Sequence, residues 1–350
     1  MIRVAFDVTS YLQSPYGGIA QTCLNTIHQA SAHREVEACA YYRRGKSGRV
    51  DLFGVPLIRM PLLPLAPAKE YDVVHALCHR RPRLKGRNLV YTVHDVWSLV
   101  PNNYQSAAFQ RKVGRRMRRE IARADLVITD SECTRESLLA LELVETDRCR
   151  TVPLGVRIPQ YNDLTSEKSK VARTPDRPYV LFVGRLENRK NLGHVFAAVA
   201  PLSQLDLVLV GEPGFGYEEN IKGLLDRFPH DRRHLFSRVP PAELAGLYFG
   251  ATATLLPSLE EGFGLPILEA MAHKSPVITS NCSACAEVAG EAAIKVDPAD
   301  PDQSRAALQR LLHDSVWRSS LVEAGLKRAG MFSWSRYFEN LISAYRSLLS

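Results

Sequence analysis

The chain has 350 residues, 45% of them hydrophobic and 23% charged, which is typical of a folded globular protein of two domains and excludes a disordered or fibrous chain. The seven cysteines are scattered along the chain, which predicts a cytoplasmic protein without a disulfide framework. No apolar run reaches the ~18 residues that span a membrane, so no membrane helix is expected. Arg3 and Asp7 interrupt the start of the chain, so no signal peptide is expected either. Residues 1–157 hold 24 Lys and Arg against 15 Asp and Glu, so this half should face a membrane surface, a nucleic acid or an anionic acceptor.

Short apolar runs without polar alternation follow one another through the first half, and helical patterns separate several of them. Such runs are typical of parallel strands buried on both faces, and their rhythm predicts βαβ units in an open parallel sheet. The predicted strands are Arg3–Val8, Asp72–His75, Leu89–Val93, Leu126–Thr129 and Arg150–Pro153.

A polar stretch at residues 158–177, bracketed by prolines, predicts an interdomain linker. The strand and helix rhythm then restarts. The predicted strands here are Tyr179–Val183, Leu205–Val210, Ala253–Leu256 and Val277–Thr279, and helices should begin near Asn191, Tyr217, Pro241 and Leu265. The tail from Trp334 has apolar residues at helical spacing and predicts an amphipathic helix.

Two candidate binding segments follow strands of the first half, and ligands of open parallel sheets bind beyond the carboxyl ends of the strands. Gly17 and Gly18 precede a helix, where glycine lets the backbone approach a ligand and the helix N-terminus favours an anion; a tight turn is the alternative. His94 follows strand 89–93 and can hold a sugar hydroxyl, or else serve a structural role. The absence of a GxGxxG pattern disfavours a dinucleotide oxidoreductase.

Two further segments lie in the second half. Gly184 and Arg185 follow a buried strand and Lys190 precedes a predicted helix, so two cations and a helix N-terminus on one loop predict a diphosphate clamp; solvated charges are the alternative. The segment 258–272 (SLEEGFGLPILEAMA) carries the strongest signal. Its glycine-rich loop, with Pro266 in the first helical turn, should present backbone N–H groups to a diphosphate.

Glu261 and Glu269 are eight positions apart, one in that loop and one inside the helix, so they should reach different parts of one ligand. A carboxylate suits vicinal hydroxyls because it accepts two hydrogen bonds. Glu269 lies in an otherwise apolar helix, where an unpaired carboxylate is costly, so it should have a polar partner.

EGFGLPILE resembles the E-x7-E motif of the retaining GT-B glycosyltransferases of family 4 type, the glycosyl transferases group 1. Further segments resemble the family's glycine loop, HD segment, phosphate loop, S-N-x-S segment and closing helix. In order, they are SPYGGIAQ, YTVHDVWSLVP, VGRLENRKNL, SNCSACAEVAGEAAIKVDP and FSWSRYFENLISAYR. The resemblance spans nearly the whole chain, and one departure is Ala286, where the family usually has Pro.

The resemblance implies an α/β chain with the GT-B fold, two Rossmann-like parallel-sheet domains facing a central cleft. An acceptor-binding domain would span residues 1–160, a nucleotide-sugar donor-binding domain residues 175–332, and a helix at 333–350 would cross back to the first domain. The HD segment and phosphate loop favour a bacterial retaining mannosyltransferase. It would move mannose from GDP-mannose to a saccharide or lipid-linked saccharide acceptor in surface polysaccharide biosynthesis.

The resemblance also assigns roles to residues. Arg185 and Lys190 would neutralise the diphosphate leaving group, Glu269 would bind the ribose, and His94 would contact the donor sugar. The implied catalytic set is His94, Arg185, Lys190 and Glu261. The implied donor-binding set is Gly17, Gly18, Gly184, Arg185, Lys190, Glu261, Gly262, Phe263, Gly264, Leu265 and Glu269, with Asn281 and Glu287 near the cleft. No cofactor or metal is expected, because cations and helix dipoles take the metal's place.

Other functions stay open as alternatives. A UDP- or dTDP-sugar could be the donor. A nucleotide-sugar epimerase on the same fold is disfavoured by the E-x7-E motif with GFGLP, and a silent binding protein by the intact charged residues. A nucleic-acid binder lacks a recognisable reading motif. The one CxxC, Cys282 to Cys285, has no second pair at zinc-finger spacing, so we expect no metal there.

The basic residues of the first half concentrate in two clusters. Residues 109–123 (FQRKVGRRMRREIAR) predict a helix with arginines on its outward face, offset only by Glu120. Its apolar face is Phe109, Val113, Met117 and Ile121. The second cluster is Arg80, Arg81, Arg83, Lys85 and Arg87. We predict peripheral contact with the anionic inner face of the plasma membrane, since each basic residue there contributes about 1 kcal/mol; solvated arginines are the alternative.

Overall fold

The computed structural model describes residues 1–13, 17–42, 51–59, 71–78, 86–159 and 174–350. It divides into two compact units, each described by itself below. The first unit comprises Met1–Pro101, Ala107–Gly155 and Ser333–Ser350, and the second comprises Asn102–Ser106 and Val156–Phe332. Most of the predicted linker, residues 160–173, and the predicted basic residues Arg80, Arg81, Arg83 and Lys85 lie outside the described residues.

The first unit is built on a parallel sheet whose seven described strands have the order β3-β2-β1-β4-β5-β6-β7. The strands are β1 (Ile2–Asp7), β2 (Val36–Tyr42), β3 (Leu57–Arg59), β4 (Tyr71–Ala76), β5 (Gly86–Val93), β6 (Leu126–Thr129) and β7 (Cys149–Thr151). The helices are α1 (Thr9–Gln13), α2 (Gly18–Ala32), α3 (Ala107–Arg123) and α4 (Glu132–Ala140), followed by a short 3-10 turn at Thr146–Arg148. β1, β4 and β6 are buried along most of their length and β5 along its second half, as their apolar runs predict.

The second unit repeats this architecture with six described parallel strands in the order β10-β9-β8-β11-β12-β13. The strands are β8 (Tyr179–Val183), β9 (Asp206–Val210), β10 (Arg233–Phe236), β11 (Ala253–Leu256), β12 (Val277–Ser280) and β13 (Ile294–Val296). The helices are α5 (Leu192–Val199), α6 (Lys222–Arg227), α7 (Pro241–Gly250), α8 (Leu265–Ala272), α9 (Ser283–Ala289), α10 (Pro301–His313) and α11 (Ser315–Ala329). A π-helical turn, Tyr217–Ile221, leads into α6, and 3-10 turns lie at Asn188–Lys190 and His230–Arg232.

All nine predicted strands are present, and the two parallel α/β units are confirmed. Four strands were not predicted: β2, β3, β10 and β13. Each is either a sheet edge or next to one, and charged residues such as Glu37, Arg233 and Lys295 interrupt their apolar runs.

The closing helix, α12 (Trp334–Leu349), belongs to the first unit and packs against α2. Tyr337 Oη lies 3.2 Å from Thr26 Oγ1, and Tyr345 Oη lies 2.6 Å from His75 Nδ1. The other His75 nitrogen lies 2.7 Å from Thr92 Oγ1. Burial, together with the charge of nearby His94, lowers the pKa of His75 to about 3. A neutral, fully bonded imidazole therefore ties this helix to the sheet.

Candidate active site

A glycine-rich loop leads from the carboxyl end of β11 into α8. Gly264 caps the helix with φ +97°, in the left-handed region that favours glycine, and a Cβ at Gly264 would lie 3.0 Å from the Ile267 side chain. Pro266 occupies the first turn, where its missing N–H removes no helical hydrogen bond. The helix begins with its dipole and its first N–H groups at the edge of the sheet where an anion would bind.

The Glu261 carboxylate lies in this loop and is enclosed by polar groups. Arg189 Nη1 donates to Glu261 Oε2 at 2.7 Å, Ser258 Oγ donates to Oε1 at 2.8 Å, and Lys190 Nζ pairs with Oε1. Arg189 Nη2 also donates to Glu187 Oε1 at 2.8 Å. We call these five residues, Glu187, Arg189, Lys190, Ser258 and Glu261, the Glu261 cluster.

Two cations and two carboxylates balance within the Glu261 cluster. Burial by itself raises the pKa of Glu261, but Arg189, Lys190 and the hydrogen bonds outweigh it and lower the pKa to about 2. Glu261 is therefore ionised at neutral pH and cannot act there as a general acid. Its oxygens accept from three donors, an arrangement that suits a binding and orienting role better than a nucleophilic one.

Arg189 was not among the predicted site residues. The 3-10 turn Asn188–Lys190 follows β8, and Asn191 ends it with φ +55°. This turn places Arg189 and Lys190 side by side on Glu261, and Arg189 Nη1 also donates to the Glu260 carbonyl at 2.9 Å. The signal in the sequence was a second cation next to Lys190, but only the contacts across 71–72 residues distinguish it from a solvated side chain.

Gly184 and Arg185 differ in where the structure places them. Gly184 has φ +148°, and a Cβ there would lie 3.6 Å from Lys190 Cε, so the glycine lies beside the Glu261 cluster. The Arg185 side chain is exposed and makes no hydrogen bond or ion pair with the described residues. The structure therefore brings Gly184, Lys190 and Glu261 together without a ligand, whereas Arg185 stays in solvent.

Glu269 has the polar partner that its apolar helix predicted. Tyr248 Oη donates to Glu269 Oε2 at 2.9 Å. The Tyr248 ring is buried and stacks on His273, with ring centroids 5.6 Å apart, and His273 Nδ1 lies 2.7 Å from the Glu269 carbonyl oxygen. Burial raises the pKa of Glu269, and the Tyr248 hydrogen bond offsets only part of that rise.

A small pocket lies between the Glu261 cluster and the first turn of α8. Its lining is Lys190, Leu256, Ser258, Glu261, Gly264, Pro266, Ile267 and Cys285. The Phe263 ring points into the core, edge-on to Phe332 at a centroid distance of 6.0 Å, so only the backbone of Phe263 remains for a ligand. Burial raises the pKa of Cys285 to about 11, which keeps this thiol protonated. Gly262 and Leu265 flank the loop and the first turn.

Gly17 and Gly18 lie at the N-terminus of α2 in the first unit. Gly17 has an ordinary extended conformation, and a Cβ built there meets no described atom within 4 Å. Neither backbone strain nor packing against the described residues requires this glycine.

His94 follows β5 and has a protein acceptor at each ring nitrogen. Nδ1 lies 2.6 Å from Asp130 Oδ2, and Nε2 lies 2.9 Å from the Leu77 carbonyl oxygen. Burial lowers the pKa of His94, but Asp130 and these hydrogen bonds outweigh it and raise the pKa to about 9. A sugar hydroxyl could therefore meet His94 only at its carbon edge or backbone, unless it displaced one of these acceptors.

Asn281 directly follows β12, and Glu287 lies within α9. Asn281 is exposed, and its backbone N–H donates to the Val296 carbonyl at 2.9 Å. The Glu287 carbonyl accepts from Arg328 at 2.7 Å. Ala286 lies inside α9, where a proline would sit in the first turns of the helix.

The basic helix α3 corrects two details of the prediction. Val113, Met117 and Ile121 are buried as predicted, but Phe109 is 45% exposed and stacks on Trp97. Glu120, predicted to offset the arginines on the surface, is only 1% exposed. Near the end of a helix that packs on a sheet, two neighbouring rows of side chains can face the sheet. A strict four-residue repeat predicts only one of these rows. The exposed cations are Arg111, Lys112, Arg115, Arg118, Arg119 and Arg123.

The described residues contain neither a membrane-spanning helix nor a metal-binding cluster. None of their helices is long and apolar enough to cross a bilayer. Nor do three His, Cys, Asp or Glu side chains of the described residues come together as a metal site would require.

Comparison with known proteins covers both units. Residues 17–158 match the model of Glycosyltransferase Family 4, and residues 164–328 match the model of Glycosyl transferases group 1. The O-antigen chain mannosyltransferase B of Escherichia coli is 30% identical over 269 residues, which are 74% of this chain and 70% of that protein. A D-inositol 3-phosphate glycosyltransferase of Acidothermus cellulolyticus is 30% identical over 306 residues, 80% and 68% of the two chains.

Solved structures share the fold at low identity. Sucrose-phosphate synthase from Thermosynechococcus elongatus has a TM-score of 0.77 at 21% identity, covering 99% of both chains. Anabaena HepE in complex with UDP-glucose has a TM-score of 0.78 at 18% identity, covering 99% of this chain and 100% of that one. Identities this low establish the fold alone.

The two parallel-sheet α/β units have the GT-B fold of glycosyltransferases. The chain belongs to the family 4 glycosyltransferases, the glycosyl transferases group 1. The predicted family, fold and transferase activity are thereby confirmed.

Proposed function

We propose that the protein is a retaining hexosyltransferase that moves mannose from GDP-mannose to a saccharide or lipid-linked saccharide acceptor in surface polysaccharide biosynthesis. The Glu261 cluster and the start of α8 carry this proposal, because they combine cations, a carboxylate and a helix N-terminus at one edge of a parallel sheet. Two mannosyltransferases among the relatives support the choice of mannose, the O-antigen enzyme and the MMP alpha-(1->4)-mannosyltransferase of Mycolicibacterium hassiacum.

The reaction breaks the bond between the sugar's anomeric carbon and the donor diphosphate, and negative charge develops on the leaving phosphate. Arg189 and Lys190 are positioned to take that charge, with the N-terminus of α8 beside them. Arg185, on the same loop and exposed, closes on the diphosphate as a third cation. With the configuration retained, the acceptor hydroxyl attacks from the face that the phosphate leaves, and its proton passes to the leaving phosphate.

Glu261 and Glu269 take different parts of the donor in this proposal. Glu261, held by Arg189 and Lys190, orients the donor sugar and keeps both cations in place until the diphosphate arrives. Glu269 accepts hydrogen bonds from the ribose hydroxyls, with Tyr248 fixing its carboxylate. No metal ion takes part, so an excess of chelator should leave turnover unchanged.

The donor is tested by a thermal-shift panel of GDP, UDP, dTDP and ADP, followed by transfer assays with the matching sugars. A nucleotide that binds only the folded state stabilises it, by about 2.7 kcal/mol at one hundred times its Kd. GDP should give the largest shift, and Glu269→Gln should reduce it. Stabilisation by UDP or dTDP without GDP would overturn the GDP-mannose assignment. Conversion of the donor without an acceptor would indicate an epimerase.

We also propose that α3 holds the protein at the inner face of the plasma membrane. Six exposed basic side chains lie along this helix, and the exposed Phe109 in its first turn stacks on the half-buried Trp97. Aromatic rings favour the headgroup region, and basic side chains favour anionic lipid. In cosedimentation, binding should require anionic vesicles, weaken with salt and fall when Arg115, Arg118 and Arg119 are changed to Glu. Equal binding to neutral vesicles would refute it.

A further inference from the structure

His94 lies at the carboxyl edge of the first unit's sheet and joins three strand ends. His94 itself follows β5, its partner Asp130 follows β6, and its second partner Leu77 follows β4. His94 is 7% exposed and Asp130 is 2% exposed. The three strands therefore converge on one buried imidazole at the edge where ligands of such sheets bind.

The two hydrogen-bond acceptors determine the protonation state of the His94 ring. A carboxylate and a main-chain carbonyl oxygen are both acceptors, so each ring nitrogen facing them must carry a hydrogen. A histidine that donates from both nitrogens is an imidazolium and has no lone pair with which to take a proton. Such a group can supply positive charge but cannot serve as a general base.

The charges around His94 agree with this form. Asp130 is the partner within bonding distance, and Asp95, next in the chain, adds negative charge that also favours the cation. His75 packs nearby but is neutral, with both nitrogens bonded to hydroxyls. On the closing helix, the negative charge of Asp130 helps to raise the pKa of the Tyr337 hydroxyl. Asp130 Oδ1 has no hydrogen-bond partner among the described residues. Among these residues, the carboxylate therefore bonds through Oδ2, which faces His94 Nδ1.

We propose that Asp130 is a positioning residue that holds His94 as a fixed imidazolium, so that His94 supplies positive charge at the carboxyl edge of this sheet and cannot act as a base. This inference rests on the proposed transferase function for its kinetic consequence. The protonation of His94 can be measured without any substrate, so a failure of the inference and a failure of the proposed function are distinguishable.

The first measurement is nitrogen-15 NMR of the full chain with labelled histidine, assigned by the signal lost in His94→Gln. Both His94 nitrogens should carry protons at neutral pH and titrate together near pH 9. In Asp130→Asn the titration should fall below the ordinary value of about 6.5, because burial then acts without the carboxylate. A neutral His94 ring in the unaltered protein at neutral pH would overturn the inference.

The second measurement is the pH profile of transfer. Asp130→Asn should lower kcat about tenfold or more near pH 8, with the donor KM little changed, and the loss should shrink as the pH falls because acid returns the proton to His94. Asp130→Glu keeps a carboxylate and should restore part of the rate. A loss that is the same at every pH, with no recovery in the Glu variant, would assign Asp130 a structural role only.

Asp206→Asn is the matched control. Asp206 is 3% exposed and lies 3.0 Å from His234 Nε2, so it is a second buried aspartate paired with a histidine. It begins β9, at the opposite end of its strand from a carboxyl edge. Asp206→Asn should leave the shape of the pH profile unchanged. If it altered the profile as Asp130→Asn does, the effect would come from loss of a buried pair in general, and the inference would be overturned.

Discussion

Removal of Arg189 tests the Glu261 cluster most directly, because family resemblance did not assign this residue a role. Arg189→Ala deletes the bond to Glu261 at 2.7 Å and two bonds to Glu187 at 2.8 and 3.2 Å. The side chains of Arg189 and Glu261 are only 16% and 11% exposed. The loss therefore leaves two carboxylates in a poorly solvated place with Lys190 as the one cation remaining in the cluster.

The size of the effect follows from the pKa of Glu261. A fall from 4.5 to about 2 corresponds to about 3 kcal/mol, and Arg189 and Lys190 share it. With the cost of leaving Glu187 without this partner, Arg189→Ala should reduce the free energy of unfolding by about 2 kcal/mol. A depressed carboxyl pKa stabilises the fold fully above about pH 4.5, and that stabilisation is lost as the pH falls towards 2. The difference between variant and parent should thus be constant near neutrality and shrink in acid.

Urea unfolding and transfer kinetics, measured side by side, check this reasoning. Arg189→Ala should lose about a hundredfold in kcat/KM, the effect of removing one donor to developing charge. Arg185→Ala should lose turnover to a similar degree without loss of stability, since its side chain is exposed. Lys327→Ala removes a solvent-exposed pair with Glu323 and should change neither. An Arg189→Ala protein with the parent's urea midpoint and kcat/KM would refute the assignment.

Three further substitutions follow from the same loop and helix. Lys190→Ala should lower turnover by about two orders of magnitude, measured with saturating donor. Tyr248→Phe removes the hydroxyl bonded to Glu269 and should weaken nucleotide binding several-fold in calorimetry, at a cost of about 1 kcal/mol in stability. Gly264→Ala introduces a side chain at φ +97° and 3.0 Å from Ile267, so its unfolding midpoint should fall by the equivalent of about 1–2 kcal/mol.

The sequence alone predicted the strands and helices whose formation depends on the burial of residues that are close together in the chain. Tyr179–Val183 and Leu126–Thr129 are continuous apolar runs because both faces of a central parallel strand are buried. The strand Leu57–Arg59 is three residues long and lies at an exposed edge of the sheet, so it contains no continuous apolar run from which it could be predicted. The position of Glu269 in an apolar helix was itself enough to predict a polar partner, although not that the partner is Tyr248.

Long-range pairing explains what the sequence did not predict in the site. Arg185, Arg189 and Lys190 lie on one loop, and nothing local distinguishes the exposed arginine from the one bonded to a carboxylate 72 residues away. His94 was predicted as a sugar contact, yet Asp130, 36 residues away, and Leu77 occupy its nitrogens. These long-range partners depend on which strands are neighbours in the sheet, and the order of the strands along the chain does not determine that.

Glu261 and Glu269 belong to one motif, but their pKa values shift in opposite directions. Cations hold the pKa of Glu261 low, whereas burial raises that of Glu269. Hydrogen bonds from ribose hydroxyls favour the ionised carboxylate, so donor binding should lower the pKa of Glu269 and release a proton. Nucleotide affinity should accordingly rise with pH through the acid range and then level off.

Calorimetric titration with the nucleotide near pH 5, in buffers of different ionisation enthalpy, counts the protons released on binding. The parent protein should release a fraction of one proton per nucleotide wherever the free protein holds Glu269 partly protonated, and the release should fall away as rising pH, followed up to pH 8, ionises Glu269 before the nucleotide binds. Glu269→Gln has no proton to release and should bind weakly with a flat pH dependence. Glu261 stays ionised at both pH values because its pKa is about 2, so the signal belongs to Glu269. Release of the same size in Glu269→Gln would contradict the ribose assignment.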